Sequence, residues 1–390
     1  MKICLLTPRF PFPQYGGDVL RVNEIARHLK QNGHTLILVS MSDDPTPPVE
    51  QARTLYDEVF FVARKPRNSK INCVLGLLGN APLQCCYYHS KDYESLLARV
   101  VERYKPDIYI SHLLRMVPYL ESLGLERKSI IEMTDALSKT YGMSSKAEGV
   151  GLLKYIYMFE KKRIRRYEQY VIRHFPKVVL VSQKDIDLLR LVTDDECNSL
   201  ALHTNGVHCP ALCDVETDRN KICFIGNMRS IQNQDAVMFF AREVFPLVKK
   251  ELPEAKFHVV GSLPPENILA LASDDIIVTG FVTDLEAYIS DSCVAVAPIR
   301  IAAGIQNKVL VAMGCRVPVV LTHLISEAIP EIEDNVNACI ADTASDIAAR
   351  CIDLMRNPKK RDAIATAGRD TVVNHYSWQE KLNGYEDLCR

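Results

Sequence analysis

The chain of 390 residues has almost no net charge: 47 Lys and Arg against 48 Asp and Glu leave a formal charge of −1. Without a global field it cannot recruit nucleic acid at long range, so any cationic binding surface must be local. None of the 13 cysteines forms a CxxC pair. Cys85 and Cys86 are adjacent, a spacing that suits neither a zinc site nor an ordinary disulfide framework. A reducing cytosol is the expected home. No stretch approaches the ~20 apolar residues of a membrane span, and the apolar run before Pro8 is too short for the core of a signal peptide. The expected protein is therefore cytoplasmic, soluble or peripheral on the inner face of a membrane. The dinucleotide fingerprint GxGxxG is also missing, which counts against an NAD enzyme. No short repeat or low-complexity tract interrupts the chain.

What is present is alternation. The apolar run Ile3 to Leu6 precedes Val22, Ile25, Ala26 and Leu29 at helical spacing, then Gly33 as a stop, then a second run from Thr35 to Ser40, which together read as a βαβ unit. Further strands are predicted near 59–62, 107–111, 129–133 and 178–182. Runs such as Val178-Val179-Leu180-Val181, apolar on both faces, suit parallel strands covered by helices. A second series follows Asn205-Gly206, with strands at 222–226, 257–261, 276–280, 293–299 and 317–321. Residues 209–220 read as the linker. Two domains suit the length. The fold class is α/β with two Rossmann-like domains, 1–205 and 206–375, facing a cleft. Helices are expected near 344–356 and 358–374, and Ser377 can cap a last helix starting at Trp378.

The densest signal lies between Ala297 and Leu310. A buried strand, a turn at Ala302 to Gly304 and a helix from about Ile305 to Gly314 would set unpaired N–H groups, and about half a unit of positive charge, beside Lys308. A lone lysine on a solvated helix would look the same. Near the N-terminus, Gly16-Gly17-Asp18 precedes the helix carrying Arg21, and paired glycines allow close backbone approach to a ligand. His112 and Asp135 lie just beyond two strands, at the ends where open parallel sheets bind ligands. Either could orient or deprotonate an acceptor hydroxyl. A hydrogen-bonded structural histidine and an N-capping aspartate are the alternatives. Arg115 could bind an acceptor phosphate or pair with Asp135.

Taken together, Pro11-x-Pro13-x-x-Gly16-Gly17-x-x-x-Arg21, Pro82-Leu83-Gln84 with Tyr87-Tyr88, Thr134 to Ser138, Val181-Ser182, Asn205-Gly206-Val207, Phe224 to Met228, Val260-Gly261 and Gly304 to Lys308 resemble glycosyltransferase family 4, of the GT-B fold. The bacterial sugar transferases of exopolysaccharide assembly are the nearest group, and the resemblance spans nearly the whole chain. It implies a nucleoside-diphosphate sugar held by the C-terminal domain and an acceptor held by the N-terminal domain. It also implies hexosyl transfer with retention, no metal or other cofactor, and a C-terminal helix, 376–390, packing back on the N-terminal domain. On the same resemblance the donor site comprises Gly16, Gly17, Gly226, Asn227, Arg229, Arg300, Gly304, Ile305, Gln306, Asn307 and Lys308. Cations there would neutralise the diphosphate as the glycosidic bond breaks. Asp135, His112 and Lys308 are the expected catalytic residues, with Arg115 and Ser138 toward the acceptor.

Two departures stand out. The family usually places glutamates where this chain has Ala303 and Val311, and a lysine where Asn233 or Gln234 falls. Glu327 or Glu331 could compensate from the next loop. The expected activity is transfer of a sugar to a growing, lipid-linked or soluble glycan. A GT-B scaffold retained as a binding subunit and a nucleotide-sugar 2-epimerase are the competing readings. Residues 154–177 mix Lys161, Lys162, Arg163, Arg165, Arg166, Arg173 and Lys177 with Tyr155, Tyr157, Phe159 and Tyr167. Such a helix can rest on an anionic membrane surface, though a solvated helix face would read alike. No nucleic-acid recognition module accompanies it.

Overall fold

The computed structural model describes residues 1–14, 17–77, 79–144, 153–193, 199–211, 215–300 and 306–390. The chain divides into two compact units, one of Met1–Asn205 with Leu382–Arg390 and one of Gly206–Lys381.

In the first unit β1 (Lys2–Thr7), β2 (Thr35–Ser42), β3 (Glu58–Ala63), β4 (Ile108–His112), β5 (Ser129–Thr134), β6 (Lys177–Leu180) and β7 (Leu200–Leu202) form one sheet in the order β3-β2-β1-β4-β5-β6-β7. All the pairings are parallel. The central strand β1 is buried over five of its six residues, whereas the edge strand β3 is only half-buried. That gradient is what a sheet covered by helices on both faces should show.

The second unit repeats the plan with β8 (Asp218–Ile225), β9 (Lys256–Val260), β10 (Ile276–Gly280), β11 (Ser292–Ala297), β12 (Val319–Leu321) and β13 (Cys339–Ile340), in the order β10-β9-β8-β11-β12-β13. Here too the pairings are parallel. β11 is buried throughout. The strand order of each sheet reverses once, between β1 and β4 and between β8 and β11. A crevice at the carboxyl ends of the strands is expected at such a reversal.

The structure corrects several boundaries. The predicted linker 209–220 overlaps β8, which already begins at Asp218. Its first three residues are exposed and polar, so the sequence hides it. β7 and β13 escaped prediction because strands of three and two residues carry no readable period. The helix expected from Ile305 starts at Asn307, and Ile301 to Ile305 fall outside the described residues.

At the C-terminus, the helix Pro358–Tyr376 gives way to a short helix, Trp378–Lys381, and a 3-10 turn, Tyr385–Cys389. Ser377 accepts from the Glu380 N–H at 3.2 Å, the cap its sequence position suggested. Gly206 lies so close to this corner that a Cβ there would sit 2.5 Å from Trp378 Cα. The segment Leu382–Arg390 belongs to the first unit, where Tyr385 is completely buried and donates to Glu132 at 2.8 Å. Every described cysteine is a free thiol. Among the described residues no helix is long and apolar enough to cross a membrane.

Candidate functional site

The carboxyl ends of β8 and β11 bring the second unit's predicted residues together. β8 runs into Gly226-Asn227, and the chain then enters the helix Ile231–Phe239. Gly226 packs against its neighbour strand so closely that a Cβ at Gly261, whose φ is +150°, would lie 1.8 Å from the Gly226 carbonyl oxygen. A Cβ on Gly226 itself would lie 2.7 Å from Asn233 Nδ2. Both glycines are therefore demanded by backbone crowding.

Asn233 is the hub of this corner. It is buried, donates through Nδ2 to the Asn227 carbonyl at 2.8 Å, and accepts a hydrogen bond from Lys308 Nζ. Lys308 stands in the first turn of the helix Asn307–Gly314, whose N-cap, Gln306, provides no side-chain cap. The ammonium lies 5.3 Å from the centroid of the Phe224 ring, a cation–π contact. No carboxylate pairs with it among the described residues. Burial lowers its pKa from the ordinary 10.5 to about 8. The arrangement is a cation held by an amide and a ring face, in the first turn of a helix that its N-cap residue does not cap. An anion is what completes it.

The two arginines differ. Arg300 is bound in bidentate fashion to Asp235, at 2.6 and 3.0 Å, and lies over the Phe239 ring. Its charge is already largely answered. Arg229 is exposed, its backbone N–H bonded to Asn227 Oδ1 at 3.0 Å, and no described carboxylate pairs with it. Gln306 is buried and Asn307 exposed. Gly304 and Ile305 lie outside the described residues, as does Ala303. Val311 packs against the core. Of the two glutamates proposed to compensate, Glu331 is engaged by the Tyr376 hydroxyl, whereas Glu327 is exposed. A cavity of about 740 Å³ in this unit is lined by Thr217, Ser290 and Arg316, at the opposite ends of the strands, and contains none of these residues. The strand-end corner is the better candidate, since it combines the cation, the helix terminus and the sheet reversal.

In the first unit, His112 ends β4 beside the other reversal and is 3% exposed. Burial pushes its pKa down to about 3, against a smaller upward pull from Asp18. The nearby Asp18 backbone also favours the charged form, though among the described residues neither ring nitrogen has a hydrogen-bond partner. The imidazole is neutral at physiological pH and a poor base, suited to hydrogen bonding rather than proton abstraction.

Asp135 is exposed beyond β5. Its pKa is raised by partial desolvation and then by Asp185. It does not cap the following helix, because the Ala136 and Ser138 N–H groups go to Asp185 and Glu168. Arg115 lies 4.9 Å from the Tyr88 ring centroid, with Nε buried and unpartnered, and makes no pair with Asp135. Ser138 is buried against Glu168. Gly17 opens its helix with nothing within 4 Å of a Cβ, so packing does not require a glycine there; Gly16 lies outside the described residues.

Arg21 is 1% exposed, with Nε on Glu132 at 2.7 Å and Nη1 on Asn205 at 3.0 Å. Sequence reasoning missed this network, and missed the roles of Asn233 and Asp235, because each partner is remote in the chain. Among the described residues no group of three His, Cys, Asp or Glu suits a metal ion.

Residues 219–357 match the family model described as glycosyl transferases group 1. Among curated proteins no sequence match is found. The chain is similar in structure to HepE of Anabaena, solved in complex with UDP, with a TM-score of 0.61 and 13% identity over 100% of this chain and 99% of that one. It is similar to a glycosyltransferase from Rickettsia africae, at 0.63 and 15% over 99% and 97%. Sucrose-phosphate synthase of Thermosynechococcus elongatus gives 0.63 and 13% over 100% and 98%. The architecture is the GT-B fold, two Rossmann-like parallel-sheet domains.

Proposed function

We propose that the protein is a glycosyltransferase of family 4 type that moves a sugar from a nucleoside-diphosphate sugar to a growing, lipid-linked glycan of bacterial exopolysaccharide assembly, with retention at the anomeric carbon and without a metal. The observation that carries this reading is the Lys308 ammonium, unopposed by any described carboxylate, at the N-terminus of a helix beside Gly226-Asn227, within the segment that matches group 1 glycosyl transferases. HepE, similar over the whole chain, has been solved with UDP and with UDP-glucose, which supports a nucleotide donor.

On this reading the second unit, about 206–375, holds the donor. Lys308 and the helix N-terminus stabilise the diphosphate as negative charge develops on it, and Arg229 adds an exposed cation. In the first unit, 1–205, the neutral His112 and Arg115 bind the acceptor, and Asp135, with its raised pKa, is the residue suited to accept the acceptor's proton. A binding-subunit reading is favoured by one specific observation: Val311 packs against the core where the family pattern has a carboxylate.

Thermal unfolding with UDP, GDP, ADP and CMP tests the donor site, because a ligand that binds only the folded chain raises stability with its concentration. A selective shift lost in Lys308→Ala supports the proposal. No shift with any nucleotide moves the binding-subunit reading to first place. If nucleotide binds, incubating nucleotide sugar with no acceptor separates the two enzymes, because a 2-epimerase converts it to the epimeric sugar alone whereas a transferase needs the acceptor. Asp135→Asn should then leave the thermal shift intact and depress transfer.

A further inference from the structure

Ile71, Val74 and Leu75 recur at helical spacing along the helix Pro66–Gly76, and that stripe faces outward: the three are 57%, 66% and 65% exposed, and Leu77 just beyond is 51% exposed. An amphipathic helix of a globular protein turns its apolar stripe to the core. Here the stripe is inverted. On the helix Leu153–His174, Met158 and Phe159 are each 50% exposed. Arg163 holds the two helices side by side. Its Nη2 donates to the carbonyls of Gly76 and Gly79 at 2.5 and 2.6 Å, and its guanidinium lies 5.2 Å from the Phe159 ring centroid. Glu160 accepts from Arg163 at 3.0 Å and from the Leu83 N–H at 2.7 Å, which pins the next helix, Leu83–Tyr87, to the same platform. Close packing continues at Gly76, where a Cβ would meet Cys86 Sγ at 2.5 Å. The exposed side chains are thus presented by braced elements.

Cations predominate in the sequence around this apolar face. From Val59 to Lys91 the sequence contains no Asp or Glu, yet it has Arg64, Lys65, Arg67, Lys70 and Lys91. On the long helix Lys161, Lys162, Arg165 and Arg166 are exposed, while its two acids, Glu160 and Glu168, are both buried. A cavity of about 340 Å³ opens beside the stripe, lined by Ile71, Asn72, Arg64, Lys65 and Lys91, with Asp92 as its one acid. Arg64 is paired with Asp43. Apolar side chains ringed by cations match the boundary between acyl chains and anionic headgroups.

We infer that this face of the first unit docks on an anionic phospholipid surface, with Ile71, Val74, Leu75 and Leu77 entering the acyl boundary and the lysines and arginines meeting headgroup phosphates. The inference rests on the lipid-linked acceptor reading above and extends it to a defined helix.

Flotation of the full chain with phosphatidylcholine vesicles, with and without phosphatidylserine, tests it. Binding to the anionic vesicles alone, weakening with salt, is expected. Val74→Asp with Leu75→Asp should lower partitioning at least tenfold. Each basic residue removed in Lys161→Gln and Lys162→Gln should lower it about fivefold, since a juxtamembrane cation contributes ~1 kcal/mol. All four positions are partly or fully exposed, so thermal unfolding should be unchanged. Failure to bind anionic vesicles, equal binding to neutral ones, or wild-type binding by the apolar variant overturns the inference. A dimer in solution that Val74→Asp with Leu75→Asp breaks also overturns it, because a second copy then covers the face. Nucleotide-induced thermal shifts need no vesicles. If they persist while vesicle binding is absent, the docking surface fails and the glycosyltransferase reading stands.

Discussion

Two cations stand beside the two sheet reversals, and their surroundings are opposite. Arg21, in the first unit, is sealed in the interior with the Glu132 carboxylate on its Nε, Asn205 on its Nη1, and Tyr385 closing the far side of Glu132. Lys308, in the second, is half-buried against an amide and a ring face with no described carboxylate. A cation whose charge is answered within the fold is structure. One left with only neutral partners is ready for an anion. The sequence places both beside glycines and ahead of apolar helical stripes, so motif position alone does not separate them. The counter-ion does.

The comparison can be broken most forcefully at Arg21. Arg21→Ala would strand the Glu132 carboxylate in the core, and removing one partner of a buried pair costs ~3–5 kcal/mol, read as a lower denaturant midpoint. A loss below ~1 kcal/mol would mean that Arg21 is not the interior brace described.

Lys308→Ala should do the reverse. Charge-assisted hydrogen bonds contribute ~1.5–3 kcal/mol, so nucleoside-diphosphate affinity should drop about tenfold or more, with little change in denaturant midpoint. The pH dependence sharpens this contrast. Nucleotide binding needs the protonated ammonium, so affinity should be full below about pH 8 and decline as pH rises through it. The free protein should move the other way. Between about 8 and the ordinary 10.5 the unfolded chain binds more protons than the folded one, so stability rises with pH over that window. Isothermal titration and denaturant unfolding across pH 7 to 10 measure both. A flat affinity profile would remove Lys308 from the site.

Asn233→Asp would make the second unit resemble the first by giving Lys308 a carboxylate. Nucleotide affinity should fall severalfold, by competition for the ammonium and repulsion of phosphate. An unchanged dissociation constant would show that the amide is incidental. The smallest effect is expected at Arg300. Its pair with Asp235 is partly exposed, and such pairs contribute ~0–1 kcal/mol, so Arg300→Ala should shift stability by no more than that. Its effect on nucleotide affinity should be well below that of Lys308→Ala. An equal loss would mean that Arg300 leaves Asp235 for the ligand.

Much of the fold was legible. The apolar runs at Ile3 to Leu6 and Cys293 to Ile299 contain strands buried on both faces, and uninterrupted apolarity is the mark of a covered parallel strand. Short or polar elements escaped for the converse reason: β13 has two residues, and β8 opens with Asp218, Arg219 and Asn220. The site was legible in its backbone parts, since glycine next to a strand end signals close approach, and Gly226 and Gly261 do crowd one another. Side-chain roles were less so. Asp135 and Arg115 were open to pairing with each other, but they form no ion pair and Arg115 lies over the Tyr88 ring. Ser138, expected toward an acceptor, is buried on Glu168.

By itself the sequence determined the order and type of the principal elements, the two-sheet plan and the position of Lys308 near the start of a helix, because periodicity, glycine and proline act over a few residues. Only the tertiary structure decided which charges are spent. Lys308 meets Asn233 across 75 residues, Arg300 meets Asp235 across 65, and Arg21 meets Glu132 across 111. Whether an ion is paired depends on through-space distance and burial, and neither is a local property of the chain.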